Sequence, residues 1–231
     1  MKSFLRIIVI ITILCQLSAV IFSCTKDAYE KGEGKYSLMR GDFAEANVNG
    51  NREVISITTD DGETLPLKTF YTASWVSRPD TVYRCMLYYN KVKATDGKPV
   101  AEVVSMGRVL CPPIKPLSKH GDVFRDDPVK FGSFWKSKSA DYLNLYLQLK
   151  TGQTEDTTAI HSLSLFTDGL ISHPNGQRTL SVLLSHDQGG LPEYYSVDVY
   201  LSILTANLPV DSVRLYLNTY SGPVVRTLPI R

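Results

Sequence analysis

The chemistry written most plainly in this sequence belongs to one cysteine. Cys24 ends the stretch Ile21-Phe22-Ser23-Cys24, which follows a short basic head (Lys2, Arg6) and an unbroken apolar run over residues 7–11 that resumes at Ile13 and Leu14. A positive head, an apolar middle and a small residue just before a cysteine are the parts of a bacterial secretory signal with a lipoprotein cleavage box. The expectation is that residues 1–23 are removed and that Cys24, then the first residue, carries the lipid and is the site of membrane attachment. A retained transmembrane anchor needs roughly 20 apolar residues, a length residues 4–22 approach. The cysteine directly after Ser23 and the polar Thr25-Lys26-Asp27 fit cleavage better. Thr25, rather than an aspartate, agrees with sorting to the outer membrane, where more than one acyl chain makes anchoring stable.

The other reactive residue types are sparse. With Cys15 lost in the signal and Cys24 lipidated, Cys85 and Cys111 are left. In an oxidising compartment they can pair as a disulfide or stay as two free thiols, and both readings stand. No CxxC occurs. His120, His161, His173 and His186 show no HxH or HExxH spacing, so no metal site is expected. Asp122, Asp126 and Asp127 read as a solvated acidic loop rather than a calcium site, because EF-hand spacing is absent. GxSxG, GxxxxGK and GxGxxG are absent too, so neither a catalytic residue nor a cofactor is expected. Paired carboxylates meet in space rather than in sequence, which leaves a glycan hydrolase-like envelope enzyme, with its site at a domain interface, as the alternative. The remaining candidate is aromatic. Tyr142 and Tyr146 share one strand face, with Tyr200 and Tyr216 on or near neighbouring strands. Together they form a platform suited to a glycan or peptide ligand. The same tyrosines also suit cross-strand pairing or contact with the first domain.

The elements that must hold these residues read as strands. Tether residues 24–35 are charged and carry two glycines, a composition that buries little. Over residues 36–111, strand-like segments rich in Val, Ile, Thr and Tyr alternate with tight-turn signals at Asn49-Gly50, Asp61-Gly62 and Asp96-Gly97. Five strands joined mostly by hairpins predict a small barrel, since a flat sheet would leave edges and an apolar face in water. Cys111-Pro112-Pro113-Ile114-Lys115-Pro116 then marks a domain boundary, and residues 112–128 read as a Pro-rich linker and loop. In residues 129–231 the alternation is strict: leucine stands at 143, 145, 147 and 149, between Tyr142, Asn144, Tyr146 and Gln148. Similar patterns at 197–203 and 213–217 predict an antiparallel β-sandwich. The fold class is therefore all-β: an N-terminal OB-like five-stranded barrel followed by a sandwich. Once Lys2 and Arg6 leave with the signal, the remaining 208 residues hold 23 basic and 23 acidic side chains. A neutral chain lacks the footprint of a nucleic-acid binder, so the partners expected are the membrane, through Cys24, and an envelope protein or glycan.

The order of these features resembles the NigD-like lipoproteins of Bacteroidetes. The resemblance rests on Cys24 with its charged tether, the five-strand segment, and the run Phe134-Trp135 … Asp141-Tyr142-Leu143-Asn144-Leu145. It continues through Leu183-Leu184-Ser185-His186, Val199-Tyr200-Leu201-Ser202 and Leu215-Tyr216-Leu217-Asn218-Thr219-Tyr220, and so spans the whole mature chain. It implies the OB-like barrel and the C-terminal sandwich, and it implies no activity, because the family has no established catalytic or binding residues. The family name comes from a bacteriocin-associated gene cluster, which implies immunity as a further alternative. Lys26-Asp27 and Glu30 resemble, in part, the acidic export signal of surface-exposed lipoproteins of the same phylum.

Overall fold

Thirteen strands build the part of the chain described by the computed structural model, residues 38–117 and 123–231, and no helix occurs among them. Cys24, the tether, His120 and Asp122 lie outside the described residues. The chain divides after Leu38, and Met39–Arg231 forms one unit.

The first five strands are β1 (Arg40–Val48), β2 (Val54–Thr59), β3 (Thr64–Tyr71), β4 (Val82–Lys93) and β5 (Pro99–Arg108). Hairpin turns link several of them, and Gly62 and Gly97 supply the positive φ of 81° that two of these turns require. The strands close as a barrel in the order β1-β2-β3-β5-β4, with β4 returning to pair with β1. Alternation then sorts the side chains. Ala44, Ala46, Ile57, Leu65, Cys85, Leu87, Tyr89 and Ala101 are buried inside. The alanines matter because a five-stranded barrel is narrow, and small residues make room for Tyr89 and the aliphatic side chains. Each buried Ile or Leu contributes roughly 1.5–3 kcal/mol over its exposed state.

Eight more strands follow: β6 (Ile114–Pro116), β7 (Lys130–Lys136), β8 (Tyr142–Thr151), β9 (Ser162–Ser172), β10 (Arg178–Asp187), β11 (Tyr195–Leu204), β12 (Ser212–Leu217) and β13 (Val224–Pro229). They form a five-stranded sheet, β13-β12-β10-β9-β6, and a three-stranded sheet, β11-β8-β7. The leucines of β8 pack with Leu165, Val182, Leu184, Val213, Leu215 and Leu217 in one core.

Two expectations need correction. The sandwich is mixed rather than antiparallel, because β10 pairs with β12, and β6 with β9, in parallel. The chain leaves β10 for β11 in the other sheet before returning as β12, and such a crossover brings it back in the same direction. Residues 112–128 are also more than a linker. β6 forms the edge of the five-stranded sheet, and Asp126 bridges His186. Pro116 is tolerated there because an edge strand has one side free of ladder bonds.

Candidate functional site

The three-stranded sheet has two working faces. Leu143, Leu145, Leu147 and Leu149 fill the sandwich core, which leaves Tyr142, Asn144, Tyr146 and Gln148 on the opposite face. The register places Ser202 of β11 against Asn144, Tyr200 against Tyr146 and Asp198 against Gln148. One end of this polar face receives the outer side of barrel strands β1 and β4. Phe43 meets Trp135 and Tyr200 edge-on, with ring centroids 5.5 Å apart in each case.

At the centre of the junction is Arg84, whose side chain is 2% exposed. Its fork donates to both carboxylate oxygens of Asp60 at 2.6 and 2.7 Å. Nε donates to Ser202 Oγ at 3.3 Å, and Nη2 also donates to Asn144 Oδ1 at 3.2 Å. Ser202 Oγ in turn donates to Asn144 Oδ1 at 2.7 Å, and Asn144 Nδ2 donates to Asp60 at 3.3 Å. The guanidinium carbon lies 4.1 Å from the Tyr142 ring centre and 5.4 Å from that of Phe43. A lone buried charge would be very costly, whereas here the planar fork is matched by a carboxylate, two sandwich oxygens and two aromatic faces. Arg84 and Asp60 come from the barrel, Asn144 and Ser202 from the sandwich.

This network changes the role of Tyr142. The residue is 8% exposed, and its hydroxyl donates to Glu45 Oε1 at 2.6 Å. Burial, and then the Glu45 carboxylate, push its pKa well above the ordinary phenol value, so it stays a neutral donor. Tyr142 therefore belongs to the junction and not to an open platform. Tyr216 is on β12 in the other sheet, its hydroxyl 3.5 Å from Asp126. Of the four tyrosines considered together from the sequence, the structure unites Tyr146 and Tyr200, which stack with centroids 5.2 Å apart and planes at 27°. The Tyr146 hydroxyl donates to Asp198 Oδ1 at 2.8 Å, and Gln148 Nε2 donates to the same oxygen at 2.9 Å. These two donors hold Asp198 below the usual carboxylate range. Burial raises the Tyr200 hydroxyl, with nearby Tyr88 and Asp198 adding to the effect. Tyr88, on the barrel strand β4, is 40% exposed and near enough to Tyr200 to add to that shift. Gly132 provides the space: a Cβ there would fall 2.2 Å from Tyr146 Cδ1.

A second opening lies at the end of the barrel beside the chain's passage to the sandwich. It encloses about 310 Å³ and includes Ser77, Arg78, Thr81, Tyr83, Arg108 and Cys111 in its lining. Cys85 is not part of it. That residue points into the barrel core, where its Sγ donates to the Ala44 carbonyl at 3.4 Å, and burial pushes its thiol up to about 12. Cys111 is exposed, and both cysteines are free thiols. The disulfide left open by the sequence does not form: Cys85 Sγ is hydrogen-bonded to the Ala44 carbonyl inside the barrel, while Cys111 lies outside it, its thiol beside the Leu204 backbone.

Among the histidines, His161 and His186 stack with Nδ1 and Nε2 3.1 Å apart, and His186 Nδ1 lies 3.1 Å from the Asp127 carbonyl. The carbonyl requires a proton on His186 Nδ1, so His186 Nε2 accepts from His161 Nδ1. His161 Nε2 is buried without a hydrogen-bond partner. Among the described residues, no three His, Cys, Asp or Glu side chains converge as a metal site.

Arg84, Asp60, Glu45, Asn144 and Ser202 were not singled out by sequence reasoning. A signal existed for Arg84, the one polar side chain other than tyrosine over residues 82–89, which are otherwise apolar or aromatic. Asn144 likewise stands inside the leucine alternation of β8.

No family model matches the chain, and no curated protein matches it. Solved structures do. A NigD-like immunity protein from Bacteroides caccae superposes with a TM-score of 0.61 at 22% identity, covering 87% of this chain and 94% of that one. A protein of unknown function from Bacteroides vulgatus gives 0.59 at 15%, with 82% and 90% covered. A candidate lipoprotein from Bacteroides fragilis gives 0.56 at 12%, with 82% and 96% covered. The likeness is one of fold. The barrel and sandwich expected from the sequence are both present, and the chain shares its fold with the NigD-like immunity protein from Bacteroides caccae.

Proposed function

We propose that the chain is a non-catalytic binding protein of the cell envelope, held at the outer membrane through lipidated Cys24. Its contact surface is the ledge of Tyr88, Tyr146 and Tyr200. The observation that carries this reading is the Tyr146–Tyr200 stack beside Asp198 and Gln148, partly exposed at a braced junction of two β bodies. Aromatic faces bordered by a carboxylate and an amide suit a glycan, whose C–H faces stack while its hydroxyls hydrogen-bond. The carboxylates at the junction support a non-catalytic role, since Glu45 accepts from Tyr142 and Asp60 from Arg84. The candidate lipoprotein among the neighbours supports membrane attachment.

The test titrates neutral oligosaccharides against the purified chain and follows Trp135 fluorescence, which is coupled to Tyr200 through Phe43. Tyr146→Ala and Tyr200→Ala should abolish the response, while Tyr216→Ala on the other sheet should leave it intact. Equal loss in all three variants, or none in the first two, refutes the ledge. For the anchor, Cys24→Ala should move the protein from the membrane fraction to the soluble one. Retention in the membrane would refute the lipid attachment.

A further inference from the structure

The 310 Å³ opening at the barrel end is separate from the ledge and differs in character. Two of its lining residues, Arg78 and Arg108, are exposed cations, and no carboxylate is among the residues that line it. Neither arginine forms an ion pair among the described residues, although other side chains there form eight. Arg84 also reaches the opening, but Asp60 already neutralises its charge.

The loop carrying Arg78 is fixed in place. The Tyr83 hydroxyl accepts from the backbone nitrogens of Ser77 at 3.1 Å and Arg78 at 2.9 Å, and lies 3.3 Å from Ser77 Oγ. The Tyr83 ring packs edge-on against Trp75 at 5.7 Å, and the Arg108 guanidinium lies 5.9 Å from its centre on the other strand. One tyrosine thus anchors the backbone that carries Arg78 and lies beside the guanidinium of Arg108. The site is a polar pocket with two unpaired guanidinium forks and the hydroxyls of Ser77 and Thr81 on its wall. Guanidinium forks match the oxygen pairs of carboxylate and phosphate, and the volume suits a ligand of about monosaccharide size.

We infer that this pocket binds a small hydroxylated molecule through its oxyanion, an acidic sugar or a sugar phosphate, with Arg78 and Arg108 as the anion-binding residues. Cys111 on the wall gives a direct readout. Cys111 is an exposed residue whose thiol is partly covered, burial raising its pKa while the Leu204 backbone hydrogen bond opposes the shift, whereas Cys85 is sealed in the barrel. At alkaline pH an occupied pocket should therefore shield Cys111 alone from alkylation.

The experiment follows iodoacetamide labelling of Cys111 by peptide mass in the purified full chain, with glucuronate, glucose 1-phosphate or glucose added. The expected result is slower labelling with one or both anions, an effect weakened by raising the salt, and none with glucose at the same concentration. Loss of one charge-assisted fork should cost at least about tenfold in affinity, so Arg78→Gln and Arg108→Gln should each raise the protecting concentration by that factor. Both side chains are exposed, so neither substitution disturbs a core. Protection by glucose equal to that by the anions, the absence of protection by either anion, or unchanged protection in both variants would overturn the inference. Protection by the phosphate alone, or by the carboxylate alone, identifies the anion the pocket takes.

Discussion

Arg84 shows what a buried charge needs in order to be tolerated: its guanidinium lies near two aromatic rings, and its nitrogens meet Asp60, Asn144 and Ser202. Removing such a group leaves its partners stranded, and the cost is then larger than the net worth of the pair. Arg84→Ala should therefore destabilise the protein by about 3–5 kcal/mol in urea unfolding, because Asp60 loses both bonds of its fork and Asn144 and Ser202 lose a donor. Arg84→Lys should recover only part of this, since an ammonium is a point charge that cannot span two carboxylate oxygens. A second prediction concerns His161. Burial, with His186 adjacent, lowers its pKa below the ordinary 6.5, while the Lys150 carbonyl opposes the shift in part. Above pH 6.5 the residue is neutral in both the folded and the unfolded chain, and stability is unaffected. As pH falls below 6.5, the unfolded chain takes up the proton first, so stability is lost toward the folded value. Thermal midpoints at pH 7.5 and 5.5 should therefore differ more in the wild type than in His161→Gln. An equal drop in both would show that His161 is not the group responsible.

The strands themselves show how much could be read in advance. Strict alternation in β8 exposed its two faces, because a half-buried strand repeats every two residues and nothing else in the segment competes. The barrel was legible from turn chemistry, since Asp-Gly pairs fix hairpins locally. Parallel pairing of β10 with β12 was not legible: alternation looks the same in either direction, and the direction is set by where β11 goes. β6 was hidden for a different reason, as three residues that include Pro116 carry no periodicity. The ledge was half legible, because shared faces show in sequence whereas which end of a face another body covers does not. Gly132 belongs to this scale too. It lies at a register shift between β7 and β8, and its missing side chain is the space the Tyr146 ring occupies. Gly132→Ala should cost about 1–3 kcal/mol from the clash and displace the Tyr146 ring. The near-UV circular dichroism of the stacked tyrosines should weaken while the far-UV spectrum stays unchanged. An unaltered near-UV signal would mean that the bulge relaxes and the ring stays.

Across the whole molecule, barrel and sandwich have separate apolar cores, so what joins them decides whether they unfold together. The joint is mostly polar: the Arg84 network, Tyr142 to Glu45, and the Phe43 ring against Trp135 and Tyr200. A polar joint transmits stability only while each partner is in place, because a half-satisfied network is worse than none. The two tryptophans make this testable, Trp75 lying in the barrel and Trp135 on β7 of the sandwich. Trp75→Phe leaves a fluorophore that reports the sandwich, and Trp135→Phe leaves one that reports the barrel while keeping a ring against Phe43. In an otherwise wild-type chain, the urea unfolding curves of these two proteins should superimpose, as coincident probes do in a two-state transition. With Phe43→Ala and Arg84→Ala added, the curves should separate, with the barrel melting first because it supplies the Arg84–Asp60 pair and is left with a half-buried carboxylate that has lost its fork. Separate transitions without those substitutions would show that the junction does not couple the two bodies. The ledge and the anion pocket would then rest on a hinge instead of a rigid frame.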